Sequence, residues 1–128
     1  MKFLLDTHTL VWWLLDDIRL SKAARAALID GDNEVVVSAV SAFEVTTKHR
    51  LGKWPEAGPI SIDFTKLVAR ERFTLLPVQT SHALHAGQLV GHHRDPFDRL
   101  LAAQSILDDL VIVSADSAFD TFGAQRLW

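Results

Sequence analysis

The stretch Met1 to Leu15 reads MKFLLDTHTLVWWLL. Phe3, Leu4 and Leu5 form a short apolar run that stops at Asp6. After Thr7, His8 and Thr9 a second apolar run begins at Leu10. A buried strand feeding directly into a helix explains both runs and the polar break between them. Asp6 then falls at the carboxyl end of a strand, the edge where open α/β sheets bind their ligands. Three later acids fall at comparable places.

The chain has 128 residues, which suits one domain, 1–128, with a real core. Hydrophobic residues make up 48% and charged residues 23%, a globular balance. No apolar run reaches the length of a membrane span, and the N-terminus lacks the pattern of a secretory signal, so the expected location is cytoplasmic. There is no cysteine, so any metal must be held by carboxylate, imidazole or water. The net charge of −3 argues against a simple duplex-binding module, which is usually basic. It does not argue against a nuclease, because an acidic metal site itself lowers the net charge.

Outward from the first stretch, Ser21 is placed to cap a helix rich in alanine, with Gly31 as its stop. Glu34 to Val37 reads as a second buried strand. A helix follows from Ser38 or Ser41 to Gly52, and Ser41 with Glu44 fits the S-x-x-E capping box. Gly52 to Pro59 reads as a loop, Ile62 to Arg72 as a helix, and Phe73 to Leu76 as a third strand ended by Pro77. A short helix runs from Thr80 or Ser81 to Leu89. Its His82 and His85, three apart, read as ordinary surface residues. Asp95-Pro96 opens another helix, with Asp95 as N-cap. Val111 to Val113 is the next buried strand, Asp116 lies just past it, and Gln125 to Leu127 can add an edge strand. Alternating strands and helices predict an α/β three-layer sandwich around a central parallel sheet, with the strand ends on one edge.

Each acid has a local explanation. Glu44 can complete a capping box, Asp95 and Asp116 can cap helices, and Asp98 can face the positive end of a helix dipole. Four carboxylates brought together, however, repel one another and raise each other's pKa. A hard divalent ion resolves that conflict, and Mg²⁺ or Mn²⁺ suits an all-oxygen set better than zinc does. Mg²⁺ keeps several waters and completes its shell with substrate phosphate, which points to phosphodiester chemistry.

Four blocks, LLDTHTLVWWL, SAVSAFEVTTKHRLGK, HHRDPFDRLLAAQ and VIVSADSAFDTFG, resemble in order those of PIN-domain proteins, most closely the VapC-like toxin nucleases of VapBC pairs. The resemblance covers nearly the whole chain and rests on order and spacing more than on any single motif. It implies a flavodoxin-like sandwich, a metal-dependent endoribonuclease using Mg²⁺ or Mn²⁺, a small VapB-like antitoxin that inhibits it, and a homodimer. Carried over by position, the catalytic and metal-binding acids are Asp6, Glu44, Asp98 and Asp116. Asp95 lies in the same block, with two roles open: binding metal through water or capping its helix. His8 stands where the family usually has a small polar residue.

Lys48, Arg50 and Lys53 follow Glu44, and His93, Arg94 and Arg99 surround Asp95 and Asp98. They read either as solvated helix ends or as contacts to RNA phosphates. Trp12 and Trp13, adjacent on one helix, cannot easily both point into one core, so one is expected inside and the other in a subunit or antitoxin groove, with surface aromatics packed under a loop as the alternative. A catalytically inactive PIN-like binding domain, with its acids serving only as caps, is the alternative. A phosphotransfer protein with Asp6 as nucleophile ranks last, because His8 stands where a second acid would be needed.

Overall fold

A computed structural model describes residues 1–128. Its strands are β1 (Lys2–Leu5), β2 (Glu34–Ser38), β3 (Thr74–Leu76), β4 (Val111–Val113) and β5 (Arg126–Leu127). They form one parallel sheet in the order β3-β2-β1-β4-β5. The central strand β1 sets Leu4 beside Val36 of β2 and beside Ile112 of β4. The chain builds from β1 out to β3, then returns to lay β4 and β5 on the other side. The switch point therefore lies between β1 and β4, where doubly wound sheets open a crevice at their carboxyl ends. Flavodoxin itself orders its strands 2-1-3-4-5. The layered architecture is shared, but the order here is 3-2-1-4-5.

Seven α-helices surround the sheet: α1 (Thr7–Leu14), α2 (Lys22–Ile29), α3 (Ala39–Arg50), α4 (Gly58–Arg70), α5 (Thr80–Gln88), α6 (Pro96–Leu107) and α7 (Ala118–Thr121). Strand alternation divides the core between the two faces. Phe3, Leu5, Val35, Val37 and Val113 pack on one side with Leu10, Val11, Leu28, Ile60 and Phe64. Leu4, Val36 and Ile112 pack on the other with Leu101, Ala102, Phe119 and Phe122. Leu4, Leu5 and Ile112 are wholly excluded from solvent. Each such side chain contributes about 1.5–3 kcal/mol by burial. Ala102 and Ala103 in the middle of α6 are fully buried, so small side chains let that helix lie close to the sheet.

Several boundaries differ from the sequence reading. The first helix begins at Thr7, not Leu10, because Leu10 already donates its amide to Asp6 (3.0 Å). Ser21 caps α2 as expected, accepting from the Ala24 amide at 3.0 Å, but the helix ends at Ile29, before Gly31. The capping box of Ser41 and Glu44 does not form. Ser38 is the N-cap of α3, accepting from the Val40 amide at 3.0 Å, which moves Ser41 and Glu44 into the helix body. Between α3 and α4 a 3₁₀ turn, Pro55–Ala57, replaces most of the expected loop. Helix α4 starts at Gly58, since Pro59 is compatible with a first turn, and it kinks at Asp63.

His82 is not a surface residue. It is buried, its Nδ1 accepts the Gln79 amide (2.9 Å), and its Nε2 lies 3.1 Å from Asp108, tying α5 to the end of α6. A histidine that closes a capping box with glutamine lies outside the Ser/Thr and Glu pattern sought in the sequence. Both Trp12 and Trp13 are half-buried. They divide between neighbours, Trp12 against Trp128 and Trp13 against Phe73, and neither is a full core residue. No helix is long and apolar enough to cross a membrane.

Candidate functional site

Asp6 ends β1 and is the residue before α1, with extended backbone and no side-chain cap bond. Its carboxylate is thereby free of helix capping and turns into the crevice at the switch point. There Oδ2 accepts from the Ser114 hydroxyl at 2.7 Å. Ser114 in turn accepts from the Asp116 amide at 3.0 Å, so the ends of β1 and β4 are joined through one serine. Asp6 is 5% exposed. Burial pushes its carboxyl above the usual range and the Glu44 charge adds to that, while Ser114 and His8 oppose it. Two further buried hydroxyl bonds fix the helix starts: Thr9 donates to the Val113 carbonyl at 2.7 Å, and Thr7 shares a 2.9 Å bond with Ser41.

That last bond places α3 against α1 and turns Glu44, nearly one helical turn beyond Ser41, into the same crevice. Glu44 is 2% exposed. One oxygen, Oε2, pairs with Lys48 four residues on, while the other, Oε1, is buried with no hydrogen-bond partner. Burial lowers the Lys48 pKa, but the bond to Glu44 and the charges of Glu44, Asp95 and Asp98 outweigh it and hold the ammonium above its ordinary value.

The remaining acids come from α6 and the turn after β4. Asp95 accepts from the Phe97 amide at 2.9 Å and caps α6, with Pro96 in the first turn. Asp98, in that first turn, lies 2.7 Å from Nε2 of His93. Burial, aided by the charges of Asp95, Asp6 and Glu44, raises the Asp98 carboxyl to about 6 despite the bond to His93. Asp116 is exposed and accepts from the Ala118 amide at 2.9 Å. Asp6, Glu44, Asp95, Asp98 and Asp116 all line one cavity of about 570 Å³, together with His8, Trp12, Arg19, Lys48 and His93. Ligand atoms of His93, Asp98 and Asp116 lie within 4.8 Å of one another.

This donor set fits a hard divalent cation. An orphaned, buried carboxylate oxygen on Glu44 costs about 1–3 kcal/mol or more unless something satisfies it. Carboxyls at 6 and 98 are held above their normal range by burial first and by neighbouring acids second, so their ionised forms lack full compensation from the chain itself. Oxygen ligands in that number suit Mg²⁺ or Mn²⁺, and the Ser114 and His93 bonds are the kind of outer partners that orient ligands.

The cations named from sequence separate. Lys48 lines the cavity, and Lys53 lines a hollow beside it. Arg50 is exposed at the end of α3 and lines neither. His93 spends its Nε2 on Asp98, and Arg94 is exposed on the loop before α6. Arg99 departs furthest from the expectation of a phosphate contact. Its guanidinium donates to the carbonyls of Ala86 (3.0 Å), His93 (2.9 Å) and Leu89, and it packs over Phe122, so it staples the loop between α5 and α6. Sequence reasoning missed Arg19, which lines the cavity from the loop after α1 and lies 5.1 Å from the Trp12 ring centroid. The only signal for it was an Asp17-x-Arg19 pair, now an ion pair at 2.8 Å, which is indistinguishable in sequence from any surface turn.

A family model described as PIN domain matches residues 3–124. A search of curated proteins finds no match. Among solved structures, the chain is similar to VapBC2 from Rickettsia felis bound to a DNA fragment from their promoter, with TM-score 0.72, 15% identity, and 99% of this chain and 98% of that one covered. It is also similar to FitAcB from Neisseria gonorrhoeae, with TM-score 0.68, 18% identity and coverage of 98% and 96%. VapBC-1 from nontypeable Haemophilus influenzae gives TM-score 0.66, 17% identity and coverage of 99% and 97%. At these identities the likeness to solved structures is one of fold.

Proposed function

Because the chain belongs to the PIN domain family, we propose that it is a metal-dependent endoribonuclease, the toxin of a VapBC-type toxin–antitoxin pair. The observation that carries this reading is the single cavity lined by Asp6, Glu44, Asp98 and Asp116, with a buried Glu44 oxygen that no group of the chain satisfies. Similarity of fold to structures named VapBC and FitAcB supports a VapB-like antitoxin as partner. The homodimer and the cytoplasmic location belong to the same proposal.

In this reading Asp6, Glu44, Asp98 and Asp116 hold Mg²⁺ or Mn²⁺. When bound, the ion supplies an activated water and charge stabilisation for in-line cleavage of an RNA phosphodiester. Asp95 holds the start of α6 and so fixes where Asp98 points. Ser114 orients Asp6, and His93 orients Asp98. Lys48 and Arg19 are the cations on the cavity wall, placed to meet non-bridging phosphate oxygens. No histidine is assigned as a general base, since His93 is bonded to Asp98 and His8 packs on Trp54.

The test is cleavage of single-stranded RNA by the purified protein with Mg²⁺ or Mn²⁺, its arrest by chelator, and its loss in Asp6→Asn with the fold intact. Cutting retained by that variant sinks the assignment. One set of observations favours the second reading, a PIN-like binding domain without catalysis: Asp95 and Asp116 both make local cap bonds, and Lys48 already neutralises Glu44. Calorimetry that detects no divalent ion binding would decide for it.

A further inference from the structure

Next to the acidic cavity, sharing His8, Trp12, Arg19 and Lys48 with it, lies a second hollow of about 370 Å³. Its floor is Trp54, which is only 7% exposed. His8 covers that indole, with ring centroids 4.7 Å apart and planes inclined by 35°. Trp12 stands 5.8 Å from His8 with planes inclined by 59°, and its own ring is met by Arg19 and Trp128. Lys53 lines the hollow and makes no ion pair within the chain, while Lys48 lies 5.8 Å from the Trp54 centroid. Glu56 is the one acid in its lining.

Core packing does not account for this arrangement. His8 and Lys53 are exposed and Trp12 is half-buried, so the aromatic stack reaches solvent where the acidic cavity opens. A set of π faces flanked by cations matches one ligand chemistry closely: a flat heteroaromatic ring that carries a phosphate. Stacking tolerates any base, because every base has a π face, and cations track the backbone. A duplex hides those faces inside its own stack, so the base must be unpaired. An arginine side chain from a protein would also suit an aromatic wall. It would, however, meet Arg19, Lys48 and Lys53 with only Glu56 in its favour.

We infer that this hollow is a base-stacking subsite. It takes an unpaired nucleobase adjoining the phosphate that enters the acidic cavity, stacks it on His8 with Trp12 as the side wall, and meets the flanking phosphate with Lys53. The inference rests on the nuclease reading and narrows it to substrates whose bases are exposed beside the cleaved bond. His8, at the second position after Asp6, thereby joins the hollow to the acidic cavity: Asp6 lines the acidic cavity and His8 lines both.

The test uses a short 2′-O-methyl RNA strand and a wholly abasic strand of the same length and charge, in chelator at low salt. Binding is followed by tryptophan fluorescence, since Trp12 and Trp54 are two of the four tryptophans. Wild type is expected to prefer the base-bearing strand by about tenfold or more. His8→Ala, at an exposed site, should lose most of that preference while still binding both strands. Trp12→Leu, which keeps an apolar side chain against Trp128, should do the same. Lys53→Gln should weaken both strands alike and flatten the salt dependence. An unchanged preference in both His8→Ala and Trp12→Leu overturns the subsite. So does an absence of preference in wild type together with a fluorescence response to an arginine-rich peptide, which would assign the hollow to a protein ligand. Metal-dependent cleavage without base preference would remove the subsite and leave the nuclease standing. A preference lost in His8→Ala, in a protein that cuts no RNA, would keep the subsite and remove the nuclease.

Discussion

The acidic cavity has a deep half and a rim. Asp6 and Glu44 lie at its base, 5% and 2% exposed, on the end of the central strand and inside a helix pinned to it by the bond between Thr7 and Ser41. Asp98 and Asp116 lie higher, on the first turn of α6 and in the turn after β4, and the exposed Asp116 is held by local backbone bonds. The deep carboxylates are positioned by tertiary structure, and one oxygen of Glu44 keeps no partner in the chain. Those at the rim are positioned by turns: Asp116 is satisfied by local bonds, whereas Asp98 keeps a raised carboxyl despite its bond to His93. Function and stability therefore conflict at the base of the cavity and at Asp98, and coexist only at Asp116.

The sharpest way to break this contrast is Asp6→Asn. If the deep half carries the ion, the substitution removes several kcal/mol of transition-state stabilisation, or about three orders of magnitude in cleavage rate. Burial holds the Asp6 carboxyl above its normal range, so at neutral pH its charge destabilises the metal-free fold. The same variant should therefore melt higher than wild type in chelator. Thermal unfolding with and without chelator checks both halves of the statement. A variant that lost activity and also melted lower would show Asp6 to be structural.

Lys48→Gln tests the other deep acid. It leaves Glu44 buried without its partner, and should cost about 2 kcal/mol in denaturant unfolding without metal. Added Mn²⁺ should recover much of that loss, because the ion would take over as counter-charge. An equal loss with and without Mn²⁺ would place Glu44 outside the metal site.

At the rim the expected signature is in pH. Asp98 titrates at about 6, raised by burial above the ordinary 3.8. A folded-state pKa above the unfolded one means that the folded protein binds more protons between those values. This group's contribution to metal-free stability is therefore present at low pH and is lost as pH rises through about 6. Metal binding needs the carboxylate, so affinity should run the opposite way and fall as pH drops through the same window. Calorimetry in buffers of different ionisation enthalpy should detect proton release on Mn²⁺ binding at pH 6, reduced in Asp98→Asn. Affinity independent of pH from 5 to 7 would separate Asp98 from the ion.

How far the sequence could be read follows the same division. The buried strands were legible because Phe3 to Leu5, Glu34 to Val37 and Val111 to Val113 are short apolar or β-branched runs beside turn residues. The place of Asp6, Asp98 and Asp116 at one sheet edge was legible because Asp6 and Asp116 follow strands and Asp98 opens a helix. Glu44 was harder to read, since S-x-x-E spacing is common to a capping box and to a helix interior, and only the position of Ser38 separates them. Arg99 and His82 were misread for one shared reason. Their partners are the backbone carbonyls at 86, 89 and 93, and the amide of Gln79, and main-chain partners leave no mark on composition. Arg19 and the hollow of His8, Trp12 and Trp54 depend on how the loops after α1 and α3 meet, which no local pattern encodes.

The smallest expected effect concerns Asp95, whose variants separate a helix cap from a metal ligand. Its Oδ1 accepts from the Phe97 amide at 2.9 Å, so Asp95→Ala should cost about 1 kcal/mol, the usual loss for an N-cap. Asparagine caps as well as aspartate does, so Asp95→Asn should leave stability within a few tenths of a kcal/mol of wild type. It also removes one of the charges that raise Asp98, so the Asp98 carboxyl should titrate lower and ionise more readily. If Asp95 only caps, Asp95→Asn keeps cleavage and shifts the acidic limb of its pH profile downward. If it holds the ion through water, cleavage falls at every pH while stability stays unchanged. A cap fixes a helix and a ligand fixes a charge, and only the asparagine variant keeps the first while removing the second.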